Sequence, residues 1–514
     1  MFYRLFLLFT TIALLSGCAV NPVTGKNELV LVTEQWELDI GEKQYAPARQ
    51  SQGGDYVVDR ALSAYVSQVG QRLAAVSDRK LPYEFTILNN SIPNAWAMPG
   101  GKISINRGLL TELSSEAELA AVLGHEIVHA AAKHGAQSFT RGLFLQAAVI
   151  GVALATKDED YAQWTQAGGV IGTQLINQKY GRDDEREADH YGMLYMSRAG
   201  YDPQGAVDLQ RTFLALHEGR PQNWITGLFA SHPPSQERLQ NNIEMLATLP
   251  KCGDRGTTRY QKKIAHIVAT KPAYEAFGKG RKALKENDSA TAGRLAKKAI
   301  SLEPKEAIFY GLLGDVEQRN QNWQQAAKQY SNAISLNPNY FYHYLQRGIA
   351  NKKLNFSKKA EADLKQSVEL FPTADAYYLL GNLARQAGQL NVAINYYSKI
   401  AGSSNEIGKR AYGALVDLDL KDNPGNYIKV QTWQNDQGIL VAEINNPTPR
   451  NLKKIELAVN YKTARGKKRH LNVLLRGTIK AESKKLYDLG ITKKLMRAKA
   501  KKYSVKIVSA QIVN

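Results

Sequence analysis

Proline-terminated segments recur every 34 residues in the second half of the chain: Ser301-Leu302-Glu303-Pro304, Ser335-Leu336-Asn337-Pro338 and Glu369-Leu370-Phe371-Pro372. Gly280, Gly314 and Gly348 keep the same interval, and Gly381 falls one residue early. Ala292, Ala326, Ala360 and Ala393 form a third series. A fixed period of this length rules out an ordinary globular core for the stretch. Each unit is a pair of helices that cannot bury its apolar face alone, so neighbouring pairs must stack into a solenoid. Small residues stand where the paired helices cross, and proline stops the second helix. The spacing predicts about four helix pairs over residues 272–405.

The period and pattern are those of the tetratricopeptide repeat, whose concave face binds proteins or peptides. Tyr310, Tyr344 and Tyr378 fall at first-helix positions that read as core packing. From about residue 425 the pattern changes to short β-rich runs at 427–433, 438–444, 455–461 and 504–508, with Asn445–Pro449 as a turn. Runs at this spacing predict an antiparallel β-sandwich over 425–514. Residues 421–514 hold 21 Lys/Arg and 6 Asp/Glu, a net +15 of the chain's +20. The densest runs are Lys467-Lys468-Arg469 and 493–502.

The first half carries His125-Glu126-Ile127-Val128-His129, a match to H-E-x-x-H. On a helix the two imidazoles share a side and can hold one metal ion, with Glu126 placed to take a proton from water beside it. The surroundings read as that helix. Ser115 and Glu118 have the capping-box spacing, and Leu119, Val122, Leu123, Ile127 and Val128 recur at helical intervals. Gly124 permits another backbone to approach the site. His134, five residues past His129, would lie about 140° round the same helix, which makes it a supporting or capping residue rather than a ligand. A catalytic metal needs a third protein ligand. Glu185 and Asp189, at i and i+4, put two carboxylates on one helix face; one can bind metal and the other can orient a histidine. Alone, the pair also reads as a solvated acidic helix start.

With Asn94-Ala95-Trp96-Ala97-Met98-Pro99-Gly100-Gly101, Lys102–Ile105 and Arg107–Leu110, these motifs over residues 20–250 resemble the M48 family of zinc metallopeptidases, and in particular its repeat-bearing periplasmic members. The resemblance implies a zincin-like domain with one Zn²⁺ per chain, held by His125, His129 and Glu185. It implies Glu126 as the general base and Asp189 as the partner of a histidine ligand. Glu187 lies at a position that varies in the family and takes no role. Ile103 and Ile105 alternate with polar neighbours as a strand after a Pro-Gly-Gly turn. The resemblance implies that the edge strand with Asn94, Ala95, Trp96 and Ala97 binds extended substrate by β-addition. His232, in Ala230–Arg238, resembles a histidine that takes the fourth zinc position and holds the enzyme latent; on its own it also reads as a helix-capping residue. Arg238 resembles an arginine that stabilises the oxyanion, against a plain salt bridge.

The start of the chain gives an address. Arg4, an apolar run from Leu5 to Leu15, and Ser16-Gly17-Cys18 form a signal peptide over 1–17, too short to span a membrane. Leu15-Ser16-Gly17-Cys18 resembles a bacterial lipobox, which implies lipidation of Cys18; Ala19 in place of Asp implies sorting to the outer membrane of a Gram-negative envelope. A secreted form or an uncleaved anchor is the other reading. Lipidation would leave Cys252 unable to form an intramolecular disulfide. Nucleic acid is scarce at such an address, so the basic C-terminal domain fits anionic lipid, lipopolysaccharide or peptidoglycan, or a merely solvated surface. The apolar stretch 143–155 reads as a buried helix or an interfacial lid.

The expected protein is α+β and mostly helical: a metallopeptidase domain over 18–265, four repeats over 272–405 and a basic β-sandwich over 425–514. The expected function is a zinc endopeptidase that degrades misfolded or stalled outer-membrane proteins, with the repeats docking on the outer-membrane assembly machinery. The alternative is a chaperone or assembly scaffold with latent proteolysis.

Overall fold

The computed structural model describes residues 18–142, 180–219, 232–250, 252–462, 467–491 and 503–513. Residues 1–17, where a signal peptide is expected, the apolar stretch 143–155, Ala230, Ser231 and the basic run 493–502 lie outside the described residues. The chain divides into two compact units, Met1–Phe371 and Pro372–Asn514.

The first unit opens with an antiparallel hairpin, β1 (Cys18–Val20) and β2 (Asn27–Leu29). Helices α1 (Glu34–Ser51) and α2 (Arg60–Ala74) follow, each started by a side chain that accepts a backbone N–H: Thr33 from Trp36, Asp59 from Leu62. Strands β3 (Glu84–Leu88), β4 (Ala95–Met98) and β5 (Lys102–Asn106) form a sheet in the order β3-β5-β4. β3 runs parallel to β5 and β4 antiparallel, so β4 is an outer strand. The tight β4–β5 turn requires glycine, because Gly100 and Gly101 have φ of 80° and 81°.

Helix α3 (Glu116–Ala131) follows, and every one of its residues is buried. Ser115 accepts from the Glu118 N–H at 3.2 Å, while Glu118 reaches back to Ser114 N at 3.1 Å, one residue before the cap. Leu119, Leu123 and Ile127 anchor it in the core at 0% exposure, each worth about 1.5–3 kcal/mol of burial. Helices α4 (Arg182–Arg198) and α5 (Gln204–Gly219) pack on α3, and α6 (Gln236–Thr248) packs on both. Helix α7 (Thr257–Ala269) leads into the helix pairs.

Three pairs complete this unit: α8 (Lys271–Lys285) with α9 (Ser289–Leu302), α10 (Ala307–Arg319) with α11 (Trp323–Leu336), and α12 (Phe341–Lys353) with α13 (Ser357–Leu370). Ala292, Ala326 and Ala360 are fully buried between paired helices. The period extends to the backbone: Asn287, Gln321 and Asn355, 34 residues apart, hold the turns of successive pairs at φ of 66°, 62° and 61°. Tyr310 and Tyr344, expected in the core, are half-buried; Phe309 and His343, one residue earlier and 100° round the helix, take the core places. The pairs are docked on the sheet. Asn89, just past β3, donates to Glu306 at 3.0 Å, and Tyr274 donates to the same carboxylate at 2.6 Å. Gln50 donates to Asn339 O at 2.6 Å and accepts from Phe341 N at 3.0 Å.

The second unit holds α14 (Ala374–Gln386), α15 (Leu390–Ser398) and α16 (Glu406–Asp419), with Ala393 buried and Tyr378 half-buried. Six strands follow: β6 (Lys429–Gln434), β7 (Leu440–Asn446), β8 (Leu452–Lys462), β9 (Lys468–Leu474), β10 (Ser483–Asp488) and β11 (Tyr503–Ile512). They make two antiparallel sheets, β10-β7-β6 and β11-β8-β9. Leu440, Ala442 and Ile444 of one sheet and Leu457 and Val459 of the other share one core. β9 and β10 were not anticipated from the sequence. Nearly all of β9 and most of β10 are exposed, so neither carries the alternation that marks a half-buried strand. The fold is α+β and mostly helical, with helix-pair repeats and C-terminal antiparallel sheets that form no closed barrel.

Candidate metal centre

α3 brings His125 and His129 together one turn apart, with their Nε2 atoms at 3.0 Å. α4 crosses α3 closely enough to deliver Glu185. A Cβ on Gly124 would meet Gly192 O at 3.2 Å, and one on Gly192 would meet His125 N at 3.2 Å, so the crossing uses both glycines, as anticipated for Gly124. Glu185 Oε1 stands 3.4 Å from His129 Nε2, and Glu185 Oε2 stands 3.6 Å from His125 Nε2. Ligands held 2.0–2.2 Å from a tetrahedral ion are roughly 3.3–3.6 Å apart; both carboxylate–imidazole distances match this, and the 3.0 Å imidazole pair is slightly closer. His232, just before α6, adds Nδ1 at 3.2 Å from His125 Nε2 and 2.8 Å from Glu185 Oε1. The donor atoms of the four residues lie within 4.8 Å of one another, and all four residues are buried. Three imidazole nitrogens facing one another in a buried space are lone-pair donors in need of a cation.

The flanking groups are equally ordered. Glu126 is 1% exposed; its Oε1 is 3.5 Å from His232 Nε2 and its Oε2 has no hydrogen-bond partner among the described residues. Burial raises its carboxyl above the usual range, partly offset by His232 and His125. Asp189 Oδ1 lies 3.0 Å from His125 Nδ1. Arg238 is not at the surface: it pairs with Asp189 through Nε and Nη2, both at 2.7 Å, and reaches Glu185 Oε2 at 2.8 Å and Pro233 O at 3.2 Å. Burial opposes these charges, yet the guanidinium holds Asp189 below the ordinary carboxylate range. Burial also opposes ionisation of Glu185, and His232, His125 and Arg238 together hold it well below the ordinary range.

β4 packs against α3. Ala95, Trp96 and Ala97 are buried, and the buried Oδ1 of Asn94 accepts no hydrogen bond among the described residues. A small cavity bounded by Ala97, Met98, His129 and Tyr180 joins this outer strand to the donor cluster. On the other side, an apolar pocket with Val122, Met193, Leu209 and Phe213 opens beside His125 and Glu126. Three participants went unassigned in the sequence. Tyr180 stacks on His129 at 3.8 Å, with planes 18° apart. Glu187 pairs with His134 at 3.3 Å. Asn21 donates to Glu187 at 2.8 Å. Only Glu187 carried a signal, as a third acidic residue beside Glu185 and Asp189.

Residues 60–245 match the family described as Peptidase family M48, and residues 277–344 and 345–406 match Tetratricopeptide repeat. The chain is 31% identical to the metalloprotease YcaL of Escherichia coli K12 over 188 residues, 35% of this chain and 72% of that one. It is 31% identical over 235 residues to the mitochondrial metalloendopeptidase OMA1 of Schizosaccharomyces pombe, 44% of this chain and 65% of that one. It is 24% identical over 355 residues to the beta-barrel assembly-enhancing protease of Escherichia coli K12, 61% of this chain and 72% of that one. The chain thus spans just under two thirds of the OMA1 relative.

Proposed function

Because the chain belongs to peptidase family M48, we propose that it is a zinc-dependent endopeptidase of the bacterial cell envelope, degrading misfolded or stalled outer-membrane proteins. The reading is carried by the convergence of His125, His129 and Glu185 with Glu126 beside them. These three ligands would hold one Zn²⁺ and leave a fourth position, as catalytic zinc sites do. Bound there, the ion supplies Lewis acidity toward the scissile carbonyl and makes water a stronger acid. The chain's own groups do the rest. Glu126 takes a proton from the attacking water and returns it to the leaving amine. Asp189 keeps His125 in the tautomer that presents Nε2 to the metal. Arg238 balances the charge of Asp189 and Glu185; a role at the oxyanion requires Nη1 to leave Glu185. Extended substrate adds to β4 at Asn94–Ala97 through main-chain hydrogen bonds, which selects unfolded segments with little regard to sequence.

The same reading places the protein in the periplasm, lipid-anchored through Cys18 to the outer membrane. Among the described residues no helix is long and apolar enough to cross a membrane. The repeats would dock on the outer-membrane assembly machinery. A second reading, a chaperone or scaffold with latent proteolysis, is favoured by His232, whose Nδ1 stands among the metal donors where water would enter.

The test is cleavage of an unfolded outer-membrane β-barrel protein by the zinc-loaded protein, with Glu126→Gln and His232→Ala alongside. Internal cleavage that falls about 10²–10⁴-fold in Glu126→Gln, with zinc content unchanged, is expected. A rise in His232→Ala would assign latency to His232. Zinc binding without cleavage by any form would favour the scaffold.

A further inference from the structure

We propose that His129 is held in position by a hydrogen-bonded chain through His134 and Glu187 that ends on the N-terminal hairpin, so that Asn21 completes the metal centre. The inference rests on the metal-centre reading above. His125 has its own carboxylate, with Asp189 3.0 Å from Nδ1. Among the described residues, no carboxylate is in contact with His129 Nδ1. That nitrogen faces His134 Nδ1 at 2.9 Å instead, and His134 Nε2 stands 3.3 Å from Glu187 Oε1. If His129 binds metal through Nε2, its proton sits on Nδ1 and is donated to His134 Nδ1. His134 must then carry its own proton on Nε2 and donate it to Glu187. One proton assignment therefore satisfies the whole chain and fixes the tautomer of the ligand.

His134 reaches this place only because α3 ends before it. On a continuing helix it would point about 140° away from His129. Lys133 instead adopts φ of 62°, in the left-handed region, and turns the chain back. A non-glycine residue is strained in that conformation, and strain of this kind persists where surrounding structure enforces it.

The far end of the chain is equally specific. Asn21 is 1% exposed although it lies three residues after Cys18. Its Oδ1 accepts from Val23 N at 2.9 Å and Thr24 N at 3.3 Å, which shapes the hairpin turn. Its Nδ2 donates to Glu187 Oε1 at 2.8 Å and to Glu28 Oε1 at 3.0 Å. Glu28 in turn accepts from Gln137, three residues past His134. An amide between two carboxylates uses both of its N–H groups; a carboxylate at residue 21 would repel both. His134, Glu187 and Asn21 are positioning residues, since none reaches the donor cluster itself.

The test uses the full processed chain and two readouts: Zn²⁺ affinity by chelator competition and the visible spectrum of the Co²⁺ form. Metal-free melting temperatures are recorded alongside. Glu187→Gln and His134→Leu are expected to weaken Zn²⁺ binding about 10–100-fold and to alter the Co²⁺ bands. Asn21→Ala should weaken binding by less, roughly several-fold to tenfold, in the same direction. His134→Gln, whose amide can accept from His129 and donate to Glu187, should recover most of the affinity. Wild-type affinity and an unchanged Co²⁺ spectrum in Glu187→Gln, His134→Leu and Asn21→Ala would overturn the inference, even with lowered melting temperatures, provided His125→Ala fails to bind. A wild-type chain that binds no metal would overturn the metal-centre reading itself.

Discussion

Both ring nitrogens of His343 are buried without a hydrogen-bond partner among the described residues, at a core position of a repeat helix where Tyr340 and Gly311 press on the ring. Burial pushes the imidazole down to about 3. In an unfolded chain it titrates near 6.5. Below that value the unfolded state takes up a proton that the folded state refuses, so the contribution to stability falls as pH drops from about 6.5 toward 3, by about 1.4 kcal/mol per pH unit. His343→Leu removes both the unpaired polar atoms and this titration. It should stabilise the chain by about 1 kcal/mol at pH 7, and its advantage should widen by about 2 kcal/mol at pH 5. Urea denaturation at the two pH values measures this; an advantage equal at both would show that His343 is solvated or paired.

At the scale of elements, the sheet and the helix pairs meet through a few polar side chains. Glu306, 1% exposed, accepts from Asn89 and Tyr274, and the Arg107 guanidinium lies 3.3 Å over the Tyr274 ring. Arg107 follows β5 and Asn89 follows β3, so the pairs grip the central strand and the outer strand opposite β4 in the same sheet. Glu306→Ala would strand three donors, Asn89, Tyr274 and the Ile308 N–H that Glu306 caps, beside a buried cation. It should cost about 3 kcal/mol or more and split calorimetric unfolding of residues 18–371 into two transitions. Glu306→Gln, which still accepts, should cost less; a single unshifted transition in Glu306→Ala would refute the coupling. This interface could not be read in advance. Asn89 and Glu306 are separated by 217 residues and Gln50 and Asn339 by 289, and nothing local in either segment marks the other. The helix pairs were legible because their period repeats every contact at a fixed spacing, and α3 was legible because its cap, apolar stripe and histidines share one helical frame. The support for His129 was not, because it depends on a left-handed turn at Lys133 that no glycine announces. Asn21 was missed for a related reason: an asparagine before proline reads as an ordinary turn residue.

Across the whole molecule, charge is distributed by region. Residues 421–514 supply +15 of the net +20. β9 is an outer strand of its sheet, and Lys468, Arg469 and His470 along it are exposed. Lys484 on β10 is partly neutralised by Glu443 at 3.3 Å, whereas the described ion pairs include none for Lys468 or Arg469. A surface of this kind attracts polyanions through many weak contacts, each worth about 1 kcal/mol at an anionic bilayer and screened within about 10 Å at 0.1 M salt. We therefore expect the protein to bind vesicles containing anionic lipid and not vesicles of neutral lipid, with binding lost as salt rises from about 0.05 to 0.5 M. Lys468→Glu with Arg469→Glu should weaken binding to anionic vesicles about tenfold or more, since each reversal removes one attraction and adds one repulsion. Co-sedimentation over a salt series measures all of these. Equal binding to neutral vesicles, or binding indifferent to salt and to the double reversal, would mean that the basic strand is a solvated surface and that any envelope contact is made elsewhere in the chain.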